Sequence, residues 1–111
     1  MFFELKKVVL RDERTKTDSR GLIARYGLNG DLIFEGQDLG AAVKAFWGSS
    51  EYEWTWTIKA HDAPKLMQTL KVRRNPLREL KRRFSGPRAS GIETFLRDNA
   101  VPFLFWSRVG D

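Results

Sequence analysis

One histidine, a scatter of carboxylates and a run of arginines are the side chains in this chain with chemistry to offer. His61 stands beside Asp62, and Glu51 and Glu53 are two residues apart. In an alternating strand that spacing puts both carboxylates on one face, the arrangement an acid–base pair needs. A small hydrolase using His61 with Glu51 or Glu53 is therefore conceivable. The pattern weighs against it, because the same face carries Thr55, Thr57 and Lys59 and reads as a solvated sheet surface. A Ser-His-Asp device also needs a nucleophile on a sharp turn, and no G-x-S-x-G occurs. The remaining carboxylates, Asp31, Glu35 and Asp38, are close in sequence, and Asp38 reads as a helix cap. A single histidine and no cysteine give no metal-ligand spacing. Gly27, Gly30, Gly36 and Gly40 match neither a dinucleotide fingerprint nor a P-loop, although Gly36 could mark a bulge. The expectation is of no catalytic residue, no metal and no cofactor.

The arginines are the stronger signal. Residues 1–63 hold 9 basic and 10 acidic side chains, a net of −1, whereas residues 64–111 hold 11 and 4, a net of +7. Eight of those cations fall within 71–88: Lys71, Arg73, Arg74, Arg78, Lys81, Arg82, Arg83 and Arg88, against the single Glu79. Arginine predominates, six to two. A guanidinium binds carboxylates and phosphates through paired hydrogen bonds that an ammonium cannot match. Arg73, Arg74, Arg78, Lys81, Arg82, Arg83 and Arg88 are thus the candidate partner-binding residues, for an acidic protein or for nucleic acid. Glu79 can pair with Arg82 or Arg83 and so partly neutralise the patch. A solvated helix face explains the same charges equally well. Tyr52, Trp54 and Trp56 could stack bases, but rings at strand spacing more often form a core.

These side chains need a scaffold to hold them. Residues 2–11 are rich in Phe and Val and read as a strand, and 12–20, with no apolar member, as a mobile loop. A hairpin around Asn29-Gly30-Asp31 follows, with Leu28 opposite Leu32, Tyr26 opposite Phe34 and Ala24 opposite Gly36. A helix beginning near Leu39 and ending at Gly48 turns Leu39, Val43 and Phe46 to one side. Residues 51–60 alternate apolar and polar and form the clearest strand. Asp62 opens a second helix with Leu66, Met67 and Leu70 inward. Asn75-Pro76 opens a third, whose Leu77, Leu80 and Phe84 form a buried stripe with Arg78 and Arg82 opposite. Ser90 and Glu93 suggest a capping box for a fourth. Residues 101–106 are apolar at every position, which predicts a central strand inserted between earlier ones, with Pro102 at its start.

The order β-β-β-α-β-α-α-α-β predicts an α+β domain over residues 1–111: one mixed or antiparallel sheet of about five strands, with helices on one face. A chain of 111 residues with 41% hydrophobic content can bury one core. The absence of cysteine fits a reducing, cytoplasmic setting. No apolar run reaches the length of a signal peptide or a membrane span.

Residues 30–40, GDLIFEGQDLG, together with Glu51-Tyr52-Glu53-Trp54, resemble small bacterial proteins of unassigned function. In size and style the whole chain also resembles the immunity proteins of contact-dependent and polymorphic toxin systems. Those families share no fold or motif, so no residue role is carried over. The resemblance implies a non-enzymatic protein that neutralises a cognate toxin by direct binding. Immunity proteins against nucleases are often acidic. A basic one implies a differently charged toxin surface, or contact through the acidic region around Asp31–Glu53. Nucleic-acid binding through 71–88 is the alternative.

Overall fold

The computed structural model describes residues 5–110. Five strands, β1 (Lys7–Arg14), β2 (Asp18–Tyr26), β3 (Leu32–Gly40), β4 (Glu51–Ile58) and β5 (Leu104–Gly110), form one sheet in sequence order. Every neighbouring pair is antiparallel. Four helices, α1 (Ala41–Trp47), α2 (Ala63–Leu70), α3 (Leu77–Phe84) and α4 (Ile92–Asp98), complete the expected α+β order. The core fills the space between one sheet face and α2–α4. Leu22, Ala24, Phe34, Trp56 and Ile58 enter it from the strands, and Leu66, Leu70, Leu77, Leu80, Ile92 and Leu96 from the helices. Among the described residues the other sheet face carries no helix-packed core, and Glu51, Glu53, Thr55 and Thr57 of β4 lie on it.

Three local expectations about the strands are corrected. Residues 12–20 are not a loop: β1 runs on to Arg14 and β2 starts at Asp18, with Arg14 opposite Ser19. Charged residues tolerate this pairing because a sheet edge can present them to water while the backbone ladder supplies the bonds. Of the strand expected over 2–11, residues 2–4 lie outside the described residues. The hairpin register is displaced by two. Tyr26 faces Leu32, Ala24 faces Phe34 and Leu22 faces Gly36. The displacement is even, so each side chain keeps its expected face. Leu28 is left fully exposed in a loop closed by the Gly27 amide donating to the Asp31 carbonyl. Gly36 marks no bulge, since its ladders are regular on both sides. It is glycine because a Cβ there would overlap the Trp54 indole, which lies across it. The bulge falls instead between Val9 and Arg11 of β1.

The helix ends differ too. Asp38 does not cap α1; Asp18 Oδ1 accepts from the Ala42 amide at 2.9 Å and does so from β2. Burial raises the Asp38 carboxyl above its usual range, opposed by nearby Arg20 and Arg11. α1 buries none of its residues, and Phe46 is among the most exposed rings. Gly48 ends it in the left-handed conformation, as expected. No Ser90–Glu93 capping box forms: Ser90 donates to the Pro87 carbonyl and Glu93 pairs with Arg97.

The largest correction concerns β5. It is an edge strand, paired with β4 alone, and not a central one. Only Val101, ahead of it, is buried, while Leu104, Phe105, Trp106 and Val109 are exposed. β1 to β4 pair successively through the meander, which leaves no gap for a fifth strand to enter. An apolar run reports a preference for burial but does not name the surface that covers it.

Candidate functional site

The basic segment is built by a turn, a helix and a second turn. α2 ends at Lys71, which adopts the left-handed conformation with φ 60°, and the Val72 amide closes back on the Met67 carbonyl at 3.0 Å. The chain then passes Arg73 and Arg74 in the open before Asn75. Asn75 Oδ1 accepts from the Leu77 amide at 2.9 Å and so caps α3, while its Nδ2 donates to the Leu5 carbonyl. Leu77 and Leu80 are fully buried, and Phe84 packs on Phe95 with ring centroids 5.2 Å apart. Holding those three inward turns Arg78 and Arg82 outward, as the helical spacing requires.

The seven predicted partner-binding residues and Lys71 divide into two groups. Arg82 Nη2 and Arg83 Nε both reach Glu79 Oε2 at 2.6 Å, and Arg83 also donates to the Leu70 carbonyl at 3.1 Å. The two guanidiniums hold Glu79 down at about 2, with the Arg82 hydrogen bond the largest cause. Lys81 Nζ donates to the Val9 carbonyl of β1 at 3.2 Å. These three cations are engaged within the fold. Lys71, Arg73, Arg74, Arg78 and Arg88 are exposed and make no ion pair among the described residues. The free positive charge is thus five side chains wide and is held around a buried anchor.

The alternative chemistry does not assemble. Glu51 and Glu53 share the open sheet face as expected. Gln37 Nε2 donates to both, at 3.1 and 3.3 Å, and Arg108 Nη2 lies 3.6 and 3.3 Å from them. The Glu51 carboxyl is lowered, first by its hydrogen bond with Glu53 and then by Gln37. His61 lies beyond the other end of β4, paired with Asp62 at 3.1 Å and largely exposed. The five steps from Glu53 to Ile58 alone span about 17 Å of strand. Asp31 is buried, bonded to Lys59 Nζ at 2.9 Å and to the Ala60 amide at 2.8 Å. It fastens the hairpin loop to the end of β4, a structural task. No cluster of three or more metal-ligating side chains occurs among the described residues.

Sequence reasoning missed a second surface. Rings run in unbroken contact from the core to solvent: Phe34 to Trp56 (6.1 Å), Trp56 to Trp54 (6.2 Å), Trp54 to Tyr52 (5.4 Å), Tyr52 to Trp47 (4.9 Å) and Trp47 to Phe46 (5.0 Å). The inner end is core, as expected of the Tyr52-Trp54-Trp56 stripe. Near the outer end, Tyr52 stands opposite the exposed Val109 of β5. The Phe46-Trp47 pair just before the helix-ending Gly48 was the available clue, because apolar residues in a last turn need not face inward. No protein-family model, no curated protein and no solved structure matches this chain.

Proposed function

We propose that this is a non-catalytic, cytoplasmic binding protein whose basic face engages an acidic partner protein. Its most concrete form is an immunity protein that neutralises a cognate toxin by direct binding. The observation that carries the reading is the set of five exposed cations, Lys71, Arg73, Arg74, Arg78 and Arg88, with no ion pair among the described residues and set around α3. Arginine in fixed positions suits carboxylates, and buried Leu77 and Leu80 keep those positions from collapsing. Among the described residues the patch offers no exposed ring for base stacking, since Phe84 is turned onto Phe95. That favours a protein over single-stranded nucleic acid.

Duplex phosphates are the second reading, because the same cations fit them. Tagged protein recovered from source lysate, compared with a Arg74→Glu/Arg78→Glu/Arg88→Glu variant, tests both. A protein partner held by the native chain and lost from the variant supports the first reading. Recovery of nucleic acid alone supports the second, with log affinity falling against log salt with a slope of about −4 to −5 if all five cations meet phosphates. Equal recovery by native chain and variant overturns both.

A further inference from the structure

We infer that β5 is the interface for a second copy of this chain, joined edge to edge across a two-fold axis into one continuous ten-stranded sheet. The inference is independent of the partner proposed for the basic face, because α3 packs on β1 at the other side of the sheet.

An edge strand presents a row of unpaired N–H and C=O groups, and folded proteins usually blunt that row with bulges, charges, proline or covering elements. Among the described residues β5 has none of these along Leu104–Gly110 except Arg108. Its ladder with β4 is regular, with Thr57 opposite Leu104 through to Glu51 opposite Gly110. Leu104, Phe105 and Trp106 are each more than half exposed, at 62, 52 and 51%, and Val109 is 43% exposed. The Gly110 carbonyl turns toward the β4 side, where it accepts from Ser49 Oγ. Backbone groups alternate along a strand, so those of Phe105, Ser107 and Val109 turn outward, free to pair.

The strand complements itself. A two-fold axis normal to the sheet keeps each face in register only when opposed residues have the same parity. Centred on Ser107, it pairs all seven residues of β5. On the helix side Phe105 then opposes Val109 of the second copy, twice. On the open side Trp106 opposes Arg108, twice, a cation beside an aromatic face. Ser107 opposes itself and leaves room at the axis. Shifting the centre to Trp106 opposes Phe105 to Ser107, and shifting it to Phe105 pairs only Leu104–Trp106 within β5, leaving Ser107–Gly110 opposite residues ahead of the strand. The opposite edge, β1, is bulged and engaged by Lys81. One open edge per chain gives a closed pair and not a fibre.

Sedimentation equilibrium over a wide loading range is the test. The native chain is expected to reach twice its 12.9 kDa mass. Ser107→Pro removes one outward N–H at the axis and Phe105→Lys sets a charge against Val109. Both are expected to sediment as monomers with unchanged circular dichroism. The chain has no cysteine, so single replacements report the register. Opposed residues have Cα atoms about 5.5 Å apart, within disulfide reach. Ser107→Cys is therefore expected to oxidise to a covalent dimer, whereas the two Leu104→Cys copies, six residues out of register, are about 20 Å apart and are expected not to. A native chain that stays monomeric to its solubility limit overturns the inference. So does open-ended polymerisation, or a dimer in which Ser107→Cys fails to cross-link.

Discussion

The two edges of the sheet are built on opposite plans. At β1 the ladder is interrupted by the Val9–Arg11 bulge, Lys81 bonds the Val9 carbonyl, Asn75 bonds Leu5, and α3 packs alongside. Charges line the far half of the strand, where Arg11 pairs with Glu13 at 2.9 Å. At β5 the ladder is regular and apolar side chains stand in solvent. One edge is closed by the protein's own helix and the other is left for something else. The basic residues follow the closed edge, since the helix that guards β1 with its inner face and Lys81 carries Arg78 on its outer face. Closure and the proposed partner binding at that edge fall on two sides of one element, whereas at β5 the proposed contact is the backbone itself.

The contrast can be broken by asking what each edge contributes to the folded chain. Leu80→Ala, under the β1 edge, is expected to cost about 2–5 kcal/mol in a denaturant titration, because it opens a cavity in a fully buried site. Leu104→Ala at β5 is expected to shift monomer stability by no more than about 0.5 kcal/mol, as exposed positions do. If the two costs are comparable, the edges do not differ as described. Next in size, Gly36→Ala is expected to destabilise by about 1–3 kcal/mol through overlap with the Trp54 indole, and to quench less of the tryptophan emission as that ring is displaced. Asn75→Ala, which removes the α3 cap and the tie to Leu5, is expected to cost about 0.5–2 kcal/mol.

The smallest effect is a pH dependence confined to α3. Glu79 is held at about 2, below the ordinary 4.5. Its contribution is therefore fully present above about pH 4.5 and is lost as pH falls through the folded value near 2. Amide protection across α3, taken relative to the intrinsic exchange rate at each pH, is expected to fall over that window in the native chain, and the added pH dependence to vanish in Glu79→Gln. An identical profile in both chains would remove Glu79 from the account.

The sequence made some of this legible for reasons that can be named. The β4 alternation and the α3 stripe were readable because each repeats at the period of its own element, 2 and 3.6. The basic segment followed from counting, and its division into three engaged and five free cations did not, since Lys81 reaches a carbonyl 72 residues away. Residues 12–14 and 18–20 looked like loop because strand formation there depends on the partner in the ladder and not on apolar content. The fate of β5 was hidden for the converse reason. Its residues announce a need for cover, and the meander order, a property of pairing between distant segments, decides that nothing within the described chain provides it.

Amide hydrogen exchange at β5, measured residue by residue against protein concentration, tests the central claim most directly. The account predicts that the Phe105, Ser107 and Val109 amides, which turn outward, gain protection as concentration rises, while the amides of β1 do not change. Exchange at those three positions that is independent of concentration would contradict it.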